Sequence, residues 1–233
     1  MILNIKGDII DNATKELINL LRDWGYPVLG DYFAPQDLDD ALSQMPEGDR
    51  LEVKINSGGG DVLAGQEIYA KLRARNDVDI EIESLAASAA SVIAMAGPCK
   101  ISPIGMIMIH DVSTYGVSGN HQDMEKAAKE LKAWDEALCG AYVAKTGKTQ
   151  DEILKLMDKE TWLPANKAVE LGFVDGITDA ESSKRVMTAS FSGLYKKQAE
   201  IQEMYNNAKA EREAHEAEKA EILKDLDKFG TTQ

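Results

Sequence analysis

A run of small residues at positions 84–97 constrains the fold of this chain more than any other segment. It places Ser84, Ser88 and Ser91 among alanines and ends at Gly97. A helix that is apolar on all sides is buried, and its first N–H groups have no intrahelical partner and form the positive end of the dipole. A hydroxyl at Ser88 would therefore lie beside donors for an oxyanion, as acyl transfer requires. A core helix whose serines bond back to the preceding turn explains the run equally well.

A glycine-rich turn follows a predicted strand at residues 51–55. Three glycines, residues 58–60, lead into Asp61 and a periodic helix predicted over residues 62–75. Glycines allow the backbone to bend sharply and leave its N–H groups open to a ligand. A phosphate-binding loop would need Gly-Lys-Ser/Thr after the turn, and the carboxylate of Asp61 would instead repel phosphate. A simple turn remains the alternative.

His110 is the histidine best placed to work with Ser88. It follows a short apolar strand predicted at residues 106–109, whereas His121 falls in a polar loop and His215 in a charged segment. A histidine at a strand end is often structural and bonded to a backbone carbonyl. Together with Ser88, however, it supplies the nucleophile and base of a serine hydrolase.

Two acids are candidates for the group that orients the histidine. Thr149 and Glu152 form a capping-box pattern, which predicts a helix that begins there and ends near Asp158. Glu160 then falls in the connection to the next short helix, and loop ends often hold catalytic groups. Both acids are also explained as solvated helix ends, and spacing does not choose between them.

These segments, in this order, resemble the proteolytic subunit of the Clp protease family. The resemblance is closer to the variants that phages and prophages encode as head maturation proteases, and it spans roughly residues 50–180. The matching positions are Asn56, Ser57, Gly58, Gly59, Gly60, Ala86, Ala87, Ser88, Ala96, Gly97, Met108, Ile109, His110, Thr146, Gly147, Glu160, Thr161, Trp162, Leu163, Ala168, Gly172, Val174 and Asp175.

The resemblance assigns a role to each matching residue of the site. It implies that Ser88 is the nucleophile and His110 the general base, and that the backbone N–H groups of Gly60 and Ala89 form the oxyanion hole. The catalytic aspartate of the family aligns with Glu160, which keeps the charge and adds one methylene. No metal or organic cofactor is implied.

The predicted elements alternate between strand and helix, which indicates an α/β layered domain. The resemblance implies a crotonase-like ββα superhelix in which the nucleophile's helix starts beside the glycine turn. Beyond those already given, the predicted elements are a helix at residues 36–42, a strand at 79–83, a helix at 89–95, a strand at 100–102 and a long helix around 123–145.

Three regions are predicted along the chain. Residues 1–180 form the Clp-type serine protease domain, residues 181–193 a Ser/Thr-rich linker, and residues 194–233 a charged helical tail. In the tail an apolar stripe recurs every seven residues from Leu194 to Phe229, which is half of a coiled-coil seam. The stripe is typical of a solvated spacer helix, or of a helix that docks onto a scaffold or coat protein.

Charge and composition exclude several functions. The formal net charge of −14 without a basic stripe argues against binding nucleic acid or an anionic membrane surface. No apolar run approaches the ~18 residues that a membrane span requires. Cys99 and Cys139 have no metal-ligand spacing, which favours free thiols and a cytoplasmic protein.

The expected function is a serine endopeptidase that forms a ring-shaped homo-oligomer and cleaves capsid or scaffold proteins during phage head maturation. One alternative is a proteolytic subunit that works with an ATP-dependent AAA+ unfoldase, and another is a catalytically weak ring that binds scaffold. A crotonase-type acyl-CoA enzyme would share the fold but needs acid/base carboxylates. A serine–lysine peptidase would use Lys129 or Lys132 as its base, which His110 makes unnecessary.

Overall fold

The structure is a computed structural model that describes residues 1–28, 30–178 and 194–229, with side chains in the last segment described over 200–217. Strands and helices alternate along most of this chain. The elements are β1 (Ile2–Ile9), α1 (Asn12–Asp23), β2 (Tyr32–Phe33), α2 (Pro35–Ser43), β3 (Leu51–Gly60), α3 (Val62–Arg73), β4 (Val78–Ala87), α4 (Ala89–Ala94), β5 (Cys99–Ile101), β6 (Met106–Ile109), α5 (His121–Thr146), α6 (Gln150–Met157), β7 (Thr161–Pro164), α7 (Ala165–Glu170), β8 (Gly176–Ile177) and α8 (Leu194–Phe229).

The described residues divide into two compact units. The first contains the sheet with α2 to α7, and the second contains α1 and α8. In the first unit the strand order is β2-β1-β3-β4-β5-β8, and every neighbouring pair in it is parallel. Parallel strands need crossover connections, which the intervening helices supply. The α/β prediction is therefore confirmed.

Strand β4 has two partners along one edge. Its first half pairs with β5 through Ile80 and Ile82, and its second half pairs with β6 through Leu85 and Ala87. Strand β7 then pairs antiparallel to β6. Because β6 continues alongside the end of β4, the residues that follow these two strands emerge side by side.

The register of the sheet breaks where the chain approaches the glycine turn. The β1–β3 pairing shifts between Lys6 and Asp8, and the β3–β4 pairing shifts between Ile55 and Ser57. The buried Ser57 hydroxyl joins the two irregular segments, because it donates to the Gly7 carbonyl at 2.6 Å and accepts from the Gly59 amide at 3.1 Å. The glycine turn is thus fixed to the sheet by a side chain.

Helix α4 is buried along its whole length. It has no polar face, as the small-residue run predicts. Close approach to α3 depends on Gly65, where an added Cβ would lie 2.9 Å from the Ala89 Cβ. Small residues on both helices therefore bring the first turn of α4 against the sheet and the glycine turn.

The second unit is held by aromatic contacts between the α1 segment and α8. Trp24 stacks on Tyr205 with ring centroids 5.8 Å apart, and the Arg212 guanidinium lies 4.7 Å from the Trp24 ring. The Tyr26 hydroxyl donates to the Glu211 carboxylate at 2.7 Å. The charged helix therefore has a partner within its own chain.

Most predicted elements occur within a few residues of their predicted ends. The helix over 150–157 has the predicted Thr149 and Glu152 capping box. His121 is the first residue of α5, so its prediction as a loop residue was wrong. Strands β1, β2, β7 and β8 were not predicted.

The predicted linker at residues 181–193 lies outside the described residues. Within the described part of the chain, no helix is long and apolar enough to cross a membrane.

Candidate active site

Ser88 lies at a sharp turn between β4 and α4. Its backbone has φ 53° and ψ −126°, a conformation that non-glycine residues rarely adopt. The Ser88 amide donates to the Met108 carbonyl at 2.9 Å, which ties the turn to β6. The turn presents the Ser88 side chain at the end of the sheet, half-buried and accessible.

His110 follows β6 directly and contacts the serine. Its Nε2 lies 2.8 Å from Ser88 Oγ, within hydrogen-bonding distance. This is the arrangement in which an imidazole takes the proton of an attacking hydroxyl. The structure therefore brings together the two residues that the sequence proposed as nucleophile and base.

The glycine turn packs against this pair. Gly59 has φ +96°, and an added Cβ would lie 2.6 Å from the Ala87 carbonyl oxygen and 2.7 Å from the Ser88 Cβ. Gly60 follows with φ 153° at the end of β3. Ala89 is the first residue of α4, so its N–H has no intrahelical acceptor. The two amides proposed for the oxyanion hole thus lie on elements that contact each other beside Ser88.

Among the described residues, Glu160 is not hydrogen-bonded to the His110 ring. Its carboxylate accepts a hydrogen bond from the Trp162 indole at 3.2 Å, and within the described part of the chain the only hydrogen bond of the His110 ring is the one to Ser88. Asp158 ends α6. Like Glu160, Asp158 is not hydrogen-bonded to the His110 ring within the described part of the chain.

Backbone strain is concentrated at two of these positions. Among the described residues, the non-glycine residues with positive φ are Ser88 and Glu160, the latter at 47°. Each such conformation costs of order 1–3 kcal/mol and typically persists at functional sites. Both positions are also candidate site residues on the sequence alone.

Asp135 is a site residue that sequence reasoning missed. It lies on α5, is 9% exposed, and accepts a hydrogen bond from the Val112 amide at 2.6 Å. Burial raises the pKa of its carboxyl, and the nearby Asp158 raises it further, while the Val112 amide and His110 lower it. The spacing of Asp135 from Leu138 and Tyr142 is the sequence signal for its burial, because all three fall on the buried stripe of α5.

Helix α5 also contacts helix α4, which begins directly after Ser88. Ser91 Oγ lies 2.7 Å from the Ser88 carbonyl, to which it donates, and 2.7 Å from the Tyr142 hydroxyl. Both side chains are buried, and burial raises the pKa of Tyr142. Ser91 is thus part of the support of Ser88.

Comparison with known proteins identifies the family. The profile described as Clp protease matches residues 40–181. The ATP-dependent Clp protease proteolytic subunit 1 of Chlamydia muridarum is 33% identical over 141 residues, covering 58% of this chain and 73% of that relative. Its counterpart in Corynebacterium glutamicum is 34% identical over 148 residues, covering 62% and 71%.

The fold is likewise that of a solved Clp protease. A ClpP1 mutant from Listeria monocytogenes superposes with a TM-score of 0.60 at 22% identity, covering 79% of this chain and 94% of the Listeria chain. At this identity the match shows the fold alone. With the family profile extending over more than half of the sequence, the chain belongs to the Clp protease family.

Proposed function

We propose that this chain is a serine endopeptidase in which Ser88 is the nucleophile and His110 the general base. The observation that carries the proposal is the 2.8 Å distance between Ser88 Oγ and His110 Nε2 at a strained strand-to-helix turn. The matched family profile includes both residues. Both lie on the sheet unit, on elements fixed to each other by the bond from the Ser88 amide to Met108.

The reaction proceeds through an acyl-enzyme. Ser88 Oγ forms a bond to the scissile carbonyl carbon as its proton moves to His110 Nε2, and the Gly60 and Ala89 amides stabilise the oxyanion. The carbon–nitrogen bond breaks as His110 returns the proton to the leaving amine. Water then attacks the ester with His110 again as base and acid. Glu160 orients the imidazole, with Asp158 as the alternative acid.

The proposed substrates are capsid or scaffold proteins during phage head maturation, and the proposed assembly is a ring-shaped homo-oligomer. This substrate class rests on the Glu160-Thr161-Trp162 sequence, which resembles the phage branch of the family. The alternative is supported by the relatives, which are named as proteolytic subunits of ATP-dependent proteases. In that case an AAA+ unfoldase would deliver the substrate.

Labelling with a fluorophosphonate probe tests the nucleophile. We expect the probe to modify Ser88, and Ser88→Ala to reduce peptide hydrolysis by several orders of magnitude with the fold retained. Ser84→Ala is the matched control, because Ser84 lies on β4 and its hydroxyl bonds to the side chain of Asn56 rather than to the site. Undiminished hydrolysis by Ser88→Ala would refute the mechanism.

A second assay separates the two substrate classes. The purified protein is incubated with unprocessed coat and scaffold proteins without ATP, and in parallel with an unfolded substrate, ATP and a Clp-type ATPase. Cleavage of the capsid proteins alone supports head maturation. Degradation that requires the ATPase supports the alternative.

A further inference from the structure

The buried carboxylate of Asp135 has no role in the mechanism so far. Among the described residues, Asp135 is the only charged side chain that is buried. Burying a carboxylate is costly unless its oxygens are bonded or a nearby charge compensates. The position of Asp135 on α5 brings it beside the segment that leaves β6.

One oxygen of Asp135 holds the backbone just after the base. The Val112 amide donates to Asp135 Oδ1 at 2.6 Å, a short bond typical of a charged acceptor. Val112 follows His110 by two residues and is packed against the core. The bond therefore restricts how the chain leaves β6, and with it the direction of the imidazole.

The same helix also holds the nucleophile. Tyr142 lies two helical turns after Asp135, on the same face of α5, and bonds to Ser91 at 2.7 Å. Ser91 in turn donates to the Ser88 carbonyl. Helix α5 therefore fixes the base through Asp135 and the nucleophile through Tyr142.

Before proton transfer from Ser88, acidic groups outnumber basic groups around Asp135. His110 and Asp158 act electrostatically on both Asp135 and Asp111. Burial raises the pKa of Asp111. The charges of Asp135 and Asp158 raise this pKa further, and the charge of His110 lowers it. Within this cluster of four residues, only His110 gains positive charge, and it does so when it takes the proton of Ser88.

We propose that Asp135 is a positioning residue for His110: its carboxylate fixes the Val112 amide, and its negative charge stabilises the imidazolium that forms as Ser88 attacks. The inference rests on the proposed Ser88 and His110 chemistry and deepens it. Glu160 or Asp158 keeps the role of the acid that bonds to the imidazole. Asp135 acts from α5 without contacting the substrate.

The substitution Asp135→Asn tests the negative charge of Asp135 separately from its hydrogen bond to the Val112 amide. The amide oxygen of asparagine still accepts from Val112 in a side chain of the same size, so the substitution removes mainly the negative charge. We expect kcat for a peptide ester to fall about tenfold to a hundredfold, the effect of losing one close opposite charge, with KM within about twofold. Glu136→Gln is the control, since it removes the same charge from the exposed neighbouring position.

Thermal stability gives an independent readout. Because burial raises the pKa of Asp135 above its unfolded value of 3.8, the folded protein binds this proton more tightly than the unfolded chain does. Stability therefore falls as pH rises from about 4 through the folded pKa, so the ionised carboxylate is unfavourable for folding at neutral pH. We expect Asp135→Asn to raise the Tm at pH 7.5 while it lowers kcat, which a purely structural residue would not do.

The experiment measures the rate constant and amplitude of fluorophosphonate labelling, together with kcat, KM and Tm, for four proteins: the unmodified chain, Asp135→Asn, Glu136→Gln and Asp135→Glu. Partial unfolding lowers the amplitude, whereas a less reactive site lowers the rate constant. Asp135→Glu, which restores the charge, should recover most of the rate constant. An unchanged rate constant in Asp135→Asn, or a loss of amplitude and Tm alone, would overturn the inference. If Ser88→Ala also remains active, the proposed function itself fails.

Discussion

At the scale of single residues, substitutions of Glu160 and Asp158 test which acid orients His110. We expect Glu160→Gln to lower kcat by about two to four orders of magnitude, because a neutral amide neither fixes the imidazole tautomer nor stabilises its charged form. Asp158→Asn should cost less than about tenfold. Peptide hydrolysis at saturating substrate measures both. The reverse ranking would assign the role to Asp158, and two small effects would indicate a Ser–His dyad.

Ser91 is expected to matter although it does no chemistry. Ser91→Ala leaves the buried Tyr142 hydroxyl without its partner, which costs about 1–3 kcal/mol. It also releases the Ser88 carbonyl from the Ser91 hydroxyl. We expect a lower Tm and a several-fold lower kcat, measured beside Ser84→Ala, which should change neither. Equal behaviour of the two variants would show that the contact to α5 is unimportant.

The residues of the site differ in how far the sequence reveals them. Ser88 and His110 could be predicted because each follows a recognisable strand or precedes a recognisable helix. Asp135 was missed although its spacing from Leu138 and Tyr142 places it on the same face of α5, because an acid on a long charged helix is typical of a solvated position. The conformation of Glu160 was equally hidden, since a positive φ at a glutamate leaves no pattern in the sequence.

At the scale of elements, the glycine turn and the turn at Ser88 pack closely against each other. Gly59→Ala would place a methyl group against the Ala87 carbonyl and the Ser88 Cβ, at a φ that L residues rarely adopt. We expect a loss of roughly 1–3 kcal/mol in the free energy of unfolding and a marked loss of kcat. Denaturant titration and peptide hydrolysis provide the two measurements.

Gly58→Ala is the matched control for that substitution. An added Cβ at Gly58 meets no atom within 4 Å, and its φ lies outside the positive region. It should retain both stability and activity. If Gly58→Ala and Gly59→Ala behave alike, close packing of the turn against Ser88 is not what the site requires.

Element prediction succeeded where periodicity was strong and failed at short or small-residue segments. The central strands alternate buried and exposed residues, so β3 was found, although the structure extends it through the glycines to Gly60. Ser84 falls in the small-residue run that predicts a helix, yet it lies on β4. Alanine and serine give no period that separates strand from helix. The two-residue strands β2 and β8 form only through their neighbours.

At the scale of the whole molecule, the division into two units predicts that peptide hydrolysis can be separated from incorporation into proheads. Ser88 and His110 lie in the sheet unit, while α8 packs with the α1 segment in the other. A chain that ends at Gly193 should therefore hydrolyse a small peptide ester at close to the full-length rate. We further expect that it fails to enter phage proheads, because the proposed docking helix is missing.

Co-sedimentation with assembling proheads and ester hydrolysis test this pair of expectations. Loss of hydrolysis on truncation would show that α8 supports the catalytic unit. Unchanged incorporation would show that α8 is a solvated appendage. The sequence indicated the helix but not its contact with Trp24, because a single apolar stripe does not identify its partner.

The arrangement of α5 has a consequence for the order of synthesis. Ser88 and His110 are 22 positions apart and leave the ribosome together, whereas α5, which anchors both, follows them. The N-terminal part of a chain folds first as it emerges. A nascent chain therefore contains Ser88 and His110, the proposed nucleophile and base, before the helix that we propose aligns them. We expect ribosome-bound chains that end before His121 to be inert toward the fluorophosphonate probe.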